Sequence, residues 1–277
     1  MNRYGKLLNW EIHRFGKYYA VLWLVTFFSQ FTGVFLFANA FMNRANAAIR
    51  DHSISAAEYA AHFETASFLN YSKTLWFTAP IELCIAALLL YSFLVWYREW
   101  FGKNTFIYRL LMLPTSRMNV YFAKISAIFL FVLGLVAFQV LILQLEILAF
   151  NFIVPRELRD SVSIIDLIRM NSLMSVLIPM YFIQFLLYYG AGLMGVIVVF
   201  TAILLERSFR LKGMIAGIIY GIAAGFIFLF PVLIAGKWYP DYFYPSEIVR
   251  MEIAVGILIT GCSLWFSYYL LQKKISV

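Results

Sequence analysis

Charge is scarce in this 277-residue sequence. Only 13% of its residues are Asp, Glu, Lys or Arg, against roughly 25% in a soluble globular domain, which excludes a soluble fold. Cysteine is nearly absent. Cys84 and Cys262 both fall inside apolar runs, so both thiols are read as small buried packers rather than as a disulfide or metal pair. No G-x-x-x-x-G-K-[ST] phosphate loop, H-E-x-x-H pair, G-x-S-x-G elbow or Cys/His cluster occurs. His13, His52 and His62 are scattered; the last two share a loop but lack a third ligand. No Ser/His or paired-Asp arrangement lies within the apolar runs, as an intramembrane protease would need. The chain is therefore expected to be no enzyme and to hold no cofactor or metal itself.

What is present is apolar length. Hydrophobic residues make up 63% of the chain, mean hydropathy is +0.82 and Phe occurs 28 times. A spanning helix needs about 20 mainly apolar residues at 1.5 Å each. Six stretches qualify: Tyr18 to Phe41, Leu75 to Tyr97, Ile125 to Phe150, Leu173 to Leu205, Gly213 to Ala235 and Ile253 to Leu271. The fourth exceeds a hydrocarbon core of about 30 Å by half again. It contains Pro179, Gly190, Gly192 and Gly195, so a tilt, kink or outer extension is expected there. Spans and short connections account for residues 1–277 as a single membrane domain. The first run is read as a retained signal anchor, since no small-residue cleavage site follows it.

Charge sets the expected orientation. With the N-terminus inside, the inner segments hold 14 of the 22 basic residues and only Glu11, Glu99 and Glu206 as acids. Lys and Arg concentrate in short cytoplasmic loops, so both termini are expected to be cytoplasmic. The formal charge of +8 is then a topology signal with some attraction to anionic lipid, and no nucleic-acid partner is expected. In residues 1–17, Tyr4, Leu8, Ile12, Phe15 and Tyr19 form one helical stripe and Asn2, Lys6, Asn9, His13 and Lys17 the opposite one. That pattern predicts an interfacial helix lying flat before the chain turns into the membrane. The fold class expected is thus an all-α integral membrane protein, with six transmembrane helices and an N-terminal interfacial amphipathic helix.

The outer loop from Asn43 to Lys73 contains Ser55-Ala56-Ala57-Glu58, a capping-box pattern that predicts a short helix. Before the last span, Trp238, Tyr239, Tyr242, Phe243 and Tyr244 suit the headgroup layer, and Pro240 and Pro245 interrupt any continuous helix. Within the spans lie two carboxylates, Glu82 and Glu146, with Gln139, Gln144 and Gln184. Intramembrane ionisable groups are costly and face a partner or an aqueous path, so these five are candidates for lining a substrate path. The competing reading is reach to the outer headgroups or interhelical hydrogen bonding.

The inner segment between the second and third stretches carries the most information. From Arg98 to Lys124, Trp100, Phe101, Phe106, Ile107, Leu110, Leu111 and Leu113 interleave with Lys103, Arg109 and Arg117. Gly102 allows a sharp bend, Thr105 can cap a short helix, and Pro114 ends it. This predicts a cytoplasmic helix parallel to the membrane, apolar on one face with a basic fringe.

The order Glu99, Gly102, Thr105, Leu110–Leu111, Pro114, Ser116, Arg117, Lys124 resembles the coupling segment of permease subunits of type 2 ABC exporters. The bulky, charged Tyr108–Arg109 departs from the small residues of that pattern. The resemblance extends to the N-terminal helix, the six-span layout, the aromatic outer segment and the basic tail Lys273–Lys274. It implies a half-transporter in a bacterial plasma membrane, working with a second permease copy or a sister permease. Two cytoplasmic ABC ATPase subunits would bind ATP and Mg²⁺. Residues 98–119 would be the coupling segment, with Glu99, Gly102, Thr105, Arg109, Leu111, Pro114 and Arg117 transmitting to the ATPase. The cargo expected is an amphipathic peptide, drug or lipid-like molecule, as in antimicrobial peptide resistance. Two other classes compete: a membrane-embedded anchor or sensor subunit recruiting a cytoplasmic partner, and a lipid-modifying membrane enzyme.

Overall fold

A computed structural model describes residues 3–101, 116–238 and 242–274. The described residues are about 90% helical, with no strand among them. Five helices are long and apolar enough to cross a membrane: Arg3–His52, Phe68–Trp100, Arg117–Ile153, Phe182–Trp238 and Pro245–Lys274. The architecture is compatible with a membrane location. Of the expected features, Gly102, Thr105, Arg109, Leu111 and Pro114, with the short helix they were to form, lie outside the described residues, as does Pro240.

Helix α1, Arg3–His52, runs for 50 residues without interruption, about 75 Å at 1.5 Å per residue. The expected turn after residue 17 is therefore absent. No proline or cap interrupts residues 14–20, and protein contacts take up the apolar stripe in place of a flat interface. Tyr4 donates its hydroxyl proton to Ser126 Oγ at 2.7 Å, and Phe15 is buried. The polar stripe of Lys6, Asn9, His13 and Lys17 is exposed, as its pattern requires.

Helix α2, Ala56–His62, begins as expected, with Ser55 and Glu58 closing a capping box. Ser55's backbone N–H and hydroxyl hold the Glu58 carboxyl below the usual glutamate range. The short α3, Phe68–Ser72, leads into α4, Leu75–Phe101. Then come α5, Arg117–Ile153, and the short α6, Ile164–Met170, and α7, Ser172–Leu177. The fourth apolar stretch is divided: residues 178–181, around Pro179, break the helix between α7 and α8, Phe182–Leu233. Gly190, Gly192 and Gly195 sit inside continuous helix, so the break belongs to the proline end alone.

Helix α8 turns back on itself at Arg210, whose φ of 53° and ψ of −128° are non-helical. A Cβ at Gly213 would lie 2.1 Å from the Leu205 carbonyl oxygen, and one at Gly217 2.7 Å from that of Ala202. Such contacts need two antiparallel arms, 182–209 and 211–233, with backbones close enough that only glycine fits. The reversal falls between the fourth and fifth apolar stretches. Helix α9, Pro245–Tyr269, starts with Pro at its first position, and the Glu247 carboxylate accepts the Tyr244 backbone N–H at 3.1 Å.

The chain divides into two compact units. One holds residues 1–14, 88–130 and 181–277; the other holds 15–87 and 131–180. In the first, Trp96 and Tyr121 meet Phe200 edge-on at 5.6 Å between centroids. Thr201 and Ser267 are hydrogen-bonded at 2.9 Å, as are Tyr220 and Ser263 at 2.5 Å. The second has an apolar core that includes Val34, Phe77, Leu143, Phe150, Leu167 and Met174. Cys84 is buried there beside Thr26 Oγ1 at 3.4 Å. Cys262, expected to be buried, is exposed on α9. In a helix apolar on every face, apolar neighbours do not distinguish inward from outward positions.

Candidate functional site

The first unit concentrates its buried charge where α4 ends and α5 begins. Lys124, near the start of α5, has no solvent exposure. Its Nζ donates to Glu11 Oε1 and to Glu99 Oε1, each at 2.6 Å. Glu99, on the last turn of α4, also accepts from Arg14 Nη1 at 3.2 Å. Arg98 approaches Glu11 Oε2 at 3.7 Å. Three cations thus face two carboxylates contributed by α1, α4 and α5.

Aromatic faces complete the enclosure. The Lys124 ammonium lies 5.3 Å from the Trp96 ring centre, and the Arg14 guanidinium lies 4.5 Å over Trp10. Taking these charges out of water costs several kcal/mol per ion, which only close mutual pairing offsets. The second oxygens of Glu11 and Glu99 are buried without a hydrogen-bond partner among the described residues. The network is therefore tightly paired at Lys124 and incompletely satisfied at its edges.

Two further contacts gather at the same helix ends. Tyr97 donates its hydroxyl to Glu206, and the Arg207 guanidinium lies 4.8 Å over the Tyr97 ring and 5.6 Å over Trp100. This joins the end of α4 to the approach of the α8 reversal. Arg117 Nη1 donates to the Leu271 carbonyl at 2.5 Å, joining the start of α5 to the end of the last helix. Both flanks of segment 102–115 are thereby anchored to several helices by polar contacts.

Of the residues assigned to coupling, Glu99 lies at the centre of the network, whereas Arg117, at the start of α5, donates to the Leu271 carbonyl. Sequence reasoning missed Glu11 and Arg14. The available signal was that Glu11 is one of only three acids among the segments richest in Lys and Arg.

The five residues read as path candidates do not form one set. Glu82 is exposed on α4. Gln139 is buried and exchanges amide hydrogen bonds with Gln30 at 3.3 Å. Gln144 is exposed, and Glu146, two residues on, is fully buried. Gln184 is half-buried and belongs to the first unit, whereas the other four belong to the second. No cluster of three or more His, Cys, Asp or Glu that could hold a metal occurs among the described residues.

No family model matches this sequence, and neither the curated proteins nor the solved structures show a significant match to it. The functional reading therefore stands on the residues and their geometry.

Proposed function

We propose that this chain is the transmembrane subunit of an ATP-binding-cassette export complex in a bacterial plasma membrane. The observation that carries the reading is the buried Glu11–Lys124–Glu99 network at the base of segment 98–119. A loop serving only to connect two helices needs no buried charge at its root, whereas a lever needs a stiff one. Glu99, Arg117 and Lys124 anchor the lever; Gly102, Thr105, Arg109, Leu111 and Pro114 are its docking residues for the ATPase. Closure of two ATPase subunits around ATP and Mg²⁺ displaces the segment, and the network carries that displacement into α1, α4 and α5. The membrane helices convert it into opening of a path shared with a second permease, identical or a sister chain.

Six crossings with both termini cytoplasmic fit this role. The α8 arms, about 42 and 34 Å long at 1.5 Å per residue, each exceed a hydrocarbon core of about 30 Å. With the α8 reversal inside, Arg207, Arg210 and Lys212 join the other basic segments on the cytoplasmic side. The cargo class is an amphipathic peptide, drug or lipid-like molecule, consistent with short outer connections that hold no separate binding domain.

Affinity purification of the full chain from its own membranes in mild detergent tests the proposal. An ATPase bearing a phosphate loop should co-purify, and the preparation should hydrolyse ATP. Recovery of the intact chain with neither such a subunit nor ATP hydrolysis would overturn it and favour an anchor or sensor role.

A further inference from the structure

Glu146 stands apart from every other charged residue of its unit. Its side chain has no solvent exposure, and neither carboxylate oxygen has a hydrogen-bond partner among the described residues. The next turns of α5 on either side place Leu143 and Phe150 against it, both in the unit's apolar core. The remaining charged residues of residues 15–87 and 131–180 are exposed, except Arg159. Arg159 is half-buried and donates to the backbone carbonyls of Asn151 and Val154. Among the described residues, none of the ion pairs involves Glu146. Tyr71 of α3, in the same core, donates its hydroxyl to the Gln30 carbonyl at 2.7 Å.

A carboxylate stripped of water and given no cation is among the costliest groups a protein interior can hold. The neighbouring Gln30–Gln139 pair shows how this unit treats other buried polar groups: each amide is matched to the other, and Gln30 also donates to the Phe77 carbonyl. Glu146 has no comparable partner, so its place in the core is tolerable only as the neutral acid.

We infer that Glu146 is a proton-binding site, occupied in the conformation described here. It ionises only when the core of its unit opens to water. On opening, the O–H bond breaks, the electron pair stays on the carboxylate and the proton passes to water; on closing, the proton must return before the acid is buried again. Any conformational cycle that wets this site is thus linked to one proton. The inference does not depend on the exporter reading, since it rests on the surroundings of Glu146 alone.

Infrared difference spectroscopy of the purified full chain in lipid nanodiscs tests it. At neutral pH the wild type should show the carbonyl stretch of a protonated carboxylic acid, lost in Glu146→Gln, retained in Glu82→Gln and shifted in frequency in Glu146→Asp. Thermal unfolding gives a second readout if one variant folds poorly. The melting temperature of the wild type should fall on alkalinisation by more than that of Glu146→Gln or Glu146→Leu. Identical carbonyl regions in wild type and Glu146→Gln, or an ionised carboxylate band that responds to sodium, would overturn the assignment.

Discussion

Lys124 in one unit and Glu146 in the other are both fully buried, yet they are accommodated differently. Lys124 has two carboxylates at 2.6 Å and an indole ring beneath it; Glu146 has neither cation nor hydrogen-bond partner among the described residues. Pairing lets the first unit keep its charges and gives three helices a shared, stiff attachment. Neutralisation lets the second keep a polar group at the cost of making its stability sensitive to protons.

Breaking the pairing should have the largest effect. Lys124→Met leaves two carboxylates buried without their shared cation and should cost about 3–5 kcal/mol in unfolding free energy. The triple variant Glu11→Gln/Lys124→Met/Glu99→Gln should recover much of that loss, because the cations it strips of carboxylates, Arg14 and Arg98, are both partly exposed to solvent. Thermal unfolding of the purified variants measures both. Glu146→Leu, similar in volume, should leave stability at neutral pH unchanged or raised, which is the contrast in its simplest form.

A purely steric change comes next. Gly213→Val places new atoms against the Leu205 carbonyl and should cost about 1–3 kcal/mol by forcing the α8 arms apart. Cysteine cross-linking between residues 202 and 217 would report the separation directly. Within the second unit, Gln139→Leu removes one half of a matched amide pair and should cost about 0.6 kcal/mol, the scale of an interhelical hydrogen bond in a membrane.

The smallest effect lies in α2. The Glu58 carboxyl is held below its ordinary range by Ser55, so the native state binds this proton less readily than the unfolded one. Its contribution is present above the ordinary glutamate range and lost as pH falls through the lowered value. Amide exchange across residues 56–62, corrected for intrinsic pH dependence, should lose protection on acidification in the wild type and not in Glu58→Gln.

Much of the helical framework was legible because apolar length and short polar punctuation are local signals. The α2 capping box and the reversal between the fourth and fifth stretches both announce themselves within a few residues. Pro179 marked the break before α8, although the nearby glycines carried no weight there. The charge network was not legible in the same way. Arg14 and Glu99 are 85 residues apart, and Glu11 and Lys124 113, so only the packed chain brings them together. The missing turn after residue 17 has a related cause: an amphipathic stripe shows that one face is covered but does not name the cover. The matched Gln30–Gln139 pair and the solitary Glu146 likewise look alike as single polar letters in apolar runs.

The most direct measurement is ATP hydrolysis by the reconstituted complex of this chain with its co-purified ATPase, comparing wild type with Glu99→Gln and Lys124→Met. Folding of each variant is checked first by thermal unfolding. The account predicts that the ATPase keeps its own basal rate while stimulation by the membrane subunit is lost in both variants. Full stimulation by a folded Glu99→Gln or Lys124→Met variant would contradict the claim that the buried network transmits force.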